Sequence, residues 1–427
     1  MADSIIQYTL NAMQSAGFEK SHCTLTVDDK QELNVENGKI SLLRSGQDQE
    51  LFILGIKDQR RASVSISDLR ESSVDDAIED LLAMAESSEP DEAYDIAPAQ
   101  TAESFTAGPD VVNLDQMYDR LCEFIEHVTA HYPKIVLAEC AVDFTRFTRR
   151  LVNTQGVDFT ETRSSYNGYA LFSAKEGEAS SSFSYTGFSC FDLDQPIHKY
   201  STIEAQLKNT SESLDARPVP GKFVGDIIIT PDAVFDFIGF LTGSIGDGSL
   251  IAGTSLYKDK LNQQVTSDKL SLKALPLDQA MPGGYHFTSD GFKVEDMTIL
   301  DKGVLNTYLL SHYGAKKTGL DRAKNEGGCM VLETGDSTLA EMIAGIGEGI
   351  ILGRFSGGEP AEKGDFSGIA KNSLYIKNGK IQFPLSETVI SGNMASVLNS
   401  VVAVSREQVD FGDSRMPWVQ VTGVTIS

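Results

Sequence analysis

The chain has 427 residues, 41% of them apolar, with 36 basic against 61 acidic side chains and a formal charge of −25. That length exceeds one ordinary hydrophobic core and predicts two domains, while no apolar run approaches the ~20 residues needed to cross a bilayer. The charge argues against nucleic acid as a ligand, because binding to phosphates rests on basic side chains that displace counterions.

Arg146, Arg149 and Arg150 form the one noticeable basic cluster, and no Lys or Arg stands between Arg70 and Arg120. The N-terminal stretch MADSIIQYTLNAMQSAG lacks the basic and apolar regions of a secretion signal. It reads as an amphipathic helix, with Ile5, Ile6, Leu10, Met13 and Ala16 on one face and Gly17 as its stop. Five cysteines, at 23, 122, 140, 190 and 329, include no CxxC pair. An odd, scattered set predicts a reduced, cytoplasmic setting.

Strands follow the first helix. CTLTVDD and QELNVENGKISLLRSG alternate in character, and Asn37-Gly38 is a two-residue hairpin signal. LFILGI and RASVSIS continue the sheet. Ser73 then reads as the cap of a helix in which Val74, Ile78, Leu81 and Leu82 recur at helical spacing. The acidic stretch 87–113 reads as a long, solvated surface connection. LDQMYDRLCEFIEHVTAH forms a second helix, ended by Pro133. Antiparallel strands come next, turning at Gln155-Gly156. The polar, proline-containing LKNTSESLDARPVPGKF predicts the boundary between domains at 1–215 and 222–427.

The second half is mostly β. Thr230-Pro231 is an N-cap followed by a proline at the first helical position, and PDAVFDFIGFLTG is apolar nearly all round, which predicts a buried helix. GVLNTYLLS, GIILGRFSGG, NSLYIKNGKIQFPLSETVISG, VVAVS and WVQVTGVTI read as strands. The fold class expected is α+β: an N-terminal α/β sandwich-like domain and a C-terminal, mainly antiparallel β domain with a buried helix.

Few motifs carry chemistry. There is no GxSxG elbow, Walker loop or dinucleotide fingerprint. GIGEGIILG is glycine-rich, but Glu348 would repel a phosphate, so it reads as a turn entering a strand. Cys329 has no histidine near it in sequence and reads as a bland thiol. His127 and His131 stand one helical turn apart, a spacing that suits a metal, but no third ligand is suggested nearby. A histidine near a helix C-terminus is also favoured by the helix dipole. The pair therefore reads as a helix end.

Residues 353–393, GRFSGGEPAEKGDFSGIAKNSLYIKNGKIQFPLSETVISGN, resemble the family containing the TldD and PmbA (TldE) proteins. GTSLYKDKLNQQV and FTSDGFKVEDMTILDKGVLNTYLLSHYGAKKTG resemble its middle blocks; QELNVENGKISLLRSG, RRASVSISDL and LVNTQGVDF match its weaker N-terminal pattern. The resemblance implies a two-domain cytoplasmic protein. TldD-type members carry HExxxH and a cysteine as zinc ligands. Here the corresponding helix, residues 235–244, holds neither His nor Glu, and counting back from Asn378-Gly379 places the cysteine's position near Ala370. This departure is that of the PmbA/TldE branch.

The resemblance thus implies a metal-free subunit, with no catalytic residue and no cofactor of its own, and zinc on a TldD-type partner chain only. Together they would cleave unfolded or leader peptides; in the partner's absence the chain could form a homodimer. In the most specific block, Arg354, Asp365 and Asn393 either contact peptide or partner or brace the sheet, while Gly357 and Gly358 either allow close backbone approach of a peptide or partner or are ordinary turn glycines. A sheet edge of the second domain would suit an extended peptide. The alternative is a non-proteolytic binding protein that regulates a partner such as DNA gyrase.

Overall fold

The computed structural model describes residues 2–358 and 360–427. In the first half, α1 (Ala2–Ser15) precedes β1 (Lys20–Glu36), β2 (Lys39–Lys57) and β3 (Arg60–Ile66). Then come α2 (Glu71–Ser87), β4 (Glu103–Ala107), α3 (Leu114–His131), β5 (Ile135–Asn153) and β6 (Asp158–Glu176). β7 (Ala179–Ser180), β8 (Ser184–Cys190) and α4 (Ile203–Glu212) complete it. The strands form one sheet in the order β3-β2-β1-β5-β6-β4, with β7 and β8 also hydrogen-bonded to β6.

Asn37 and Gly38 take φ values of 50° and 73°, the left-handed pair that matches a hairpin to the twist of its strands. β1 runs unbroken through both stretches read separately from sequence. α1 and α2 bury Ile6, Met13, Val74 and Leu81 against Leu51 and Ile53, whereas α3 and α4 bury Leu121, Phe124 and Leu207 against Val142 and Phe172.

The second half begins with β9 (Phe223–Ile229), α5 (Pro231–Ser244) and α6 (Asp247–Ala252). β10 (Leu272–Ala274), β11 (Met297–Asp301), β12 (Val304–Leu305), α7 (His312–Thr318), β13 (Met330–Leu332) and α8 (Leu339–Gly345) follow. β14 (Glu348–Leu352), β15 (Arg354–Ser356), β16 (Asp365–Lys371), β17 (Leu374–Lys377) and β18 (Lys380–Pro384) lead to β19 (Thr388–Asn393). α9 (Met394–Asn399), β20 (Val401–Asp410) and β21 (Arg415–Ile426) end the chain. The sheet's main path is β12-β11-β10-β13-β21-β9-β14-β17-β18. Its pairings are antiparallel except β9–β14 and β13–β21. Asn378-Gly379, at φ 50° and 71°, repeats the first hairpin's turn between β17 and β18. The architecture is therefore α+β with two sheets, as the sequence predicts.

Three local expectations need correction. α2 starts at Glu71 with Arg70, not Ser73, at its cap, because Asp68 takes the Arg70 backbone N–H and guanidinium and closes the turn earlier. Residues 87–113 are not a free loop. Ala93, Ile96 and Ala97 are buried, and β4 pairs in parallel with β6 from Glu103↔Phe159 onward. The acids of that segment serve as ties: Asp91 binds Lys317 and Tyr313, and Asp95 binds Lys20 and Lys316. Finally, α5 is covered on one side only. Val234, Phe237, Ile238 and Leu241 are buried, but Phe235, Asp236 and Gly239 are exposed.

Glu161 on β6 joins the halves. Its fully buried carboxylate accepts from His286 Nδ1 at 2.8 Å and from Arg149 Nη2 at 3.3 Å, with Arg163 Nη1 at 3.6 Å. The two arginines continue across the junction, to Phe287 O (2.9 Å) and Met281 O (3.1 Å). Removing one member of such a buried set leaves uncompensated charge. Glu161→Ala should therefore lower stability by about 3–5 kcal/mol in denaturant titration, with Glu161→Gln costing less. Unchanged unfolding midpoints for both would show that the network does not couple the halves.

Candidate functional site

Where the halves meet, α5 presents its first turn to β8 and α4. Thr230 is extended and Pro231 occupies the first helical turn, so the next residue, Asp232, sits where the helix dipole favours an anion. Its Oδ1 accepts from Thr202 Oγ1 (2.9 Å), Gln206 Nε2 (2.9 Å) and Thr186 Oγ1 (3.1 Å). Burial raises the Asp232 carboxyl above its ordinary value, opposed by those hydrogen bonds. Asp236 stands one turn on, reached by solvent but crowded by apolar groups, and that desolvation lifts its carboxyl to about 6.

Both acids line a cleft of about 510 Å³ between β8 and α4 on one side and α5, α8, β14 and β15 on the other. Its walls include Tyr185, Phe235, Arg354, Ile381 and Trp418. Tyr185 (55% exposed), Phe183 (49%) and Ile381 (46%) are unusually open for their size. The Arg354 guanidinium lies 4.4 Å from the Phe183 ring centre and 5.6 Å from that of Tyr185, a cation–π arrangement. Its buried Nε has no hydrogen-bond partner among the described residues. Asn372 ties this wall to the first half through Phe183 O (3.0 Å) and Ser184 Oγ (2.9 Å).

Among the described residues β8 pairs with β6 alone, which leaves its other backbone edge without a strand partner beside the cleft. It pairs antiparallel with β6, without a bulge, from Tyr166↔Cys190 to Phe172↔Ser184. The Ser189 N–H turns away from β6 to reach Phe411 O at 2.8 Å. Residues two apart in a strand point their backbone groups the same way. The N–H and C=O of Gly187 and Tyr185 are therefore aimed outward, into the cleft.

Of the five residues singled out from sequence, Arg354 alone lines this cleft. Gly357 and Gly358 form the turn after β15 at φ 79° and 69°, and a Cβ on Gly358 would fall 1.8 Å from Ser367 O. Asp365 pairs with Asn393 across β16 and β19. Asn393 Nδ2 donates to Asp365 Oδ1 (3.0 Å) and Lys363 O (2.7 Å), while its Oδ1 accepts from Ser396 N and caps α9. These contacts brace the sheet end. Asp232 carried a readable signal, an acid directly after Thr-Pro; Thr186, Thr202 and Gln206 carried none.

The helix that the resemblance aligns with a zinc motif does not fit a zinc ion. Along 235–244 the one ionisable donor is Asp236, and Phe237 packs 6.2 Å from both Phe355 and Phe366. Ala370 is fully buried. A zinc site wants three or four imidazole, thiolate or carboxylate ligands. Elsewhere, Cys329 is buried and burial pushes its thiol up to about 11, and Glu348 is held by Lys377 and Tyr375.

The His127/His131 pair has more company than the sequence suggested. His198 stacks on His127 with ring centres 3.8 Å apart, and Glu204 Oε2 lies 2.8 Å from His127 Nε2. Both newcomers lie about 70 residues further on, beyond the reach of spacing arguments.

Known proteins resemble this chain in sequence and in fold. Residues 220–427 match the family description PmbA/TldA metallopeptidase C-terminal domain, and residues 28–85 match PmbA/TldA metallopeptidase domain 1. A relative from Haemophilus influenzae, named metalloprotease PmbA homolog, is 24% identical over 387 residues, covering 86% of this chain and 84% of that one. A zinc metalloprotease TldD homolog from Saccharolobus solfataricus is 27% identical over 241 residues, 53% of this chain and 52% of its own. TldE from Thermococcus kodakarensis shares the fold at TM-score 0.84 and 18% identity, with 99% of this chain and 100% of that one aligned. The chain belongs to the PmbA/TldD family.

Proposed function

We propose that this chain is the PmbA/TldE-like subunit, without a catalytic zinc of its own, of a TldD-type zinc metallopeptidase complex, and that its interdomain cleft holds an extended stretch of unfolded peptide substrate. The observation that carries the reading is the outward backbone of Tyr185 and Gly187 beside the open aromatic wall. An extended peptide gains main-chain hydrogen bonds by adding a strand to such an edge, and neighbouring pockets select side chains. Tyr185, Phe235 and Trp418 offer apolar contact; Asp236 offers a charge that suits a basic peptide residue. The poor fit of α5 to a zinc ion supports placing water activation on the partner chain.

Mixing the chain with a TldD-type partner should give chelator-sensitive cleavage of an unstructured peptide, and the chain alone should give none. Comparable cleavage by the isolated, metal-stripped chain would overturn the accessory role; specific capture of gyrase subunits instead would favour the non-proteolytic alternative.

Tyr185→Pro, compared with Tyr185→Ala so that loss of the ring cancels, removes one outward N–H while leaving the pairing to β6 in place, a substitution that edge strands accept. Peptide affinity should fall about tenfold, the scale of one lost hydrogen bond, with little change in melting temperature. Full affinity in this variant would exclude strand addition at β8.

Asp236 sets a pH dependence. Its carboxyl is raised in the fold, so the fold favours the protonated form. Its stabilising contribution is complete below the ordinary carboxylate value of about 4 and is lost as pH rises through about 6. Affinity for a lysine-containing peptide should move oppositely, strengthening as pH rises through about 6. Asp236→Asn should flatten both curves; unaltered pH profiles would remove Asp236 from the site.

A further inference from the structure

Outside the cleft, one cluster on the first half has the composition of a metal centre. We propose that His127, His198 and Glu204 bind a divalent transition ion of the zinc class, at a site separate from the family's zinc motif. His127 stands on the penultimate turn of α3, His198 on a short 3-10 turn at Ile197–Lys199, and Glu204 on the first turn of α4. One ligand atom from each lies within 4.8 Å of the other two.

Two imidazoles and one carboxylate form a donor set that zinc uses in sites with an open fourth position. The carboxylate is also oriented from behind: Glu204 Oε1 accepts from Tyr132 Oη at 2.8 Å, the kind of outer contact that fixes a metal ligand. A ring nitrogen of His198, Nδ1, is buried with no hydrogen-bond partner among the described residues, a cost that an ion bound at that atom would remove.

Metal binding needs neutral imidazole, and burial together with the neighbouring His127 lowers the proton affinity of His198 below its usual value. Glu204 goes the other way: burial raises its carboxyl, but hydrogen bonds from Tyr132 and His127 outweigh that and keep it ionised.

The present arrangement is poised rather than closed. The His127 and His198 rings are parallel to within 3°, and lone pairs in parallel planes cannot meet at one ion. Bonds of ~2.0–2.2 Å require one ring to turn out of the stack. The half-exposed carboxylate of Glu204 can follow, since its side chain is 39% exposed. The ion would then pin α3 to α4, the helix whose Thr202 and Gln206 hold Asp232. The proposed site would thus stiffen one wall of the cleft, and the inference does not depend on what the cleft binds.

The test uses the untagged full-length chain, stripped with a chelator and titrated with Zn²⁺ alone against a chromophoric competitor at pH 7.5. We expect one equivalent bound at micromolar or tighter affinity. His127→Ala and His198→Ala should each weaken it at least ~10-fold while melting normally in chelator. Without relying on any variant, Co²⁺ added to the wild-type chain should give visible d–d bands and no thiolate charge-transfer band. Failure to take up zinc, uptake insensitive to both substitutions, or a thiolate band placing the ion on a cysteine would each overturn the proposal.

Discussion

The cleft depends on one half-buried carboxylate. Asp232 opens α5 in the second half, yet its hydrogen-bond donors come from β8 and α4 in the first. A carboxylate removed from water needs such partners, and three hydroxyl or amide donors converging on one oxygen fix where α5 sits relative to β8. Glu161 serves the same end elsewhere on the junction, with arginines and a histidine in place of neutral donors. These two anchors hold the halves together and keep the outer edge of β8 beside the apolar wall.

That geometry explains an apolar helix left partly uncovered. α5 buries Val234, Phe237, Ile238 and Leu241, and its other side, with Phe235 and Asp236, looks into the cleft. Exposed aromatic rings and an acid lifted by crowding are costly for a surface that meets only water. They suit a ligand that brings apolar side chains and its own backbone hydrogen-bonding groups. The same helix offers no imidazole or thiolate.

Much of the architecture was legible in the residues. Asn37-Gly38 and Asn378-Gly379 determine two hairpins because both positions must adopt positive φ, and the apolar period of Met117, Leu121, Phe124 and Val128 places α3. What escaped sequence reading was long-range. Ala93, Ile96 and Ala97 sit in a polar, acidic stretch, and nothing local reveals that they fill space between packed elements. Thr186, Thr202 and Gln206 are ordinary polar residues until the fold gathers them on Asp232. His198 and Glu204 reach His127 only through the packing of α4 beside α3. Motif spacing sees neighbours on one helix; it does not see neighbours across two.

Hydrogen exchange at the β8 edge bears on the central claim most directly. With an unstructured peptide bound to the chain, the amides of Tyr185 and Gly187 should exchange markedly more slowly, together with those around Arg354, while the amides that pair β8 with β6 stay as they were. Protection confined to other surfaces, or none at saturating peptide, would contradict the account of this cleft as a peptide-holding edge.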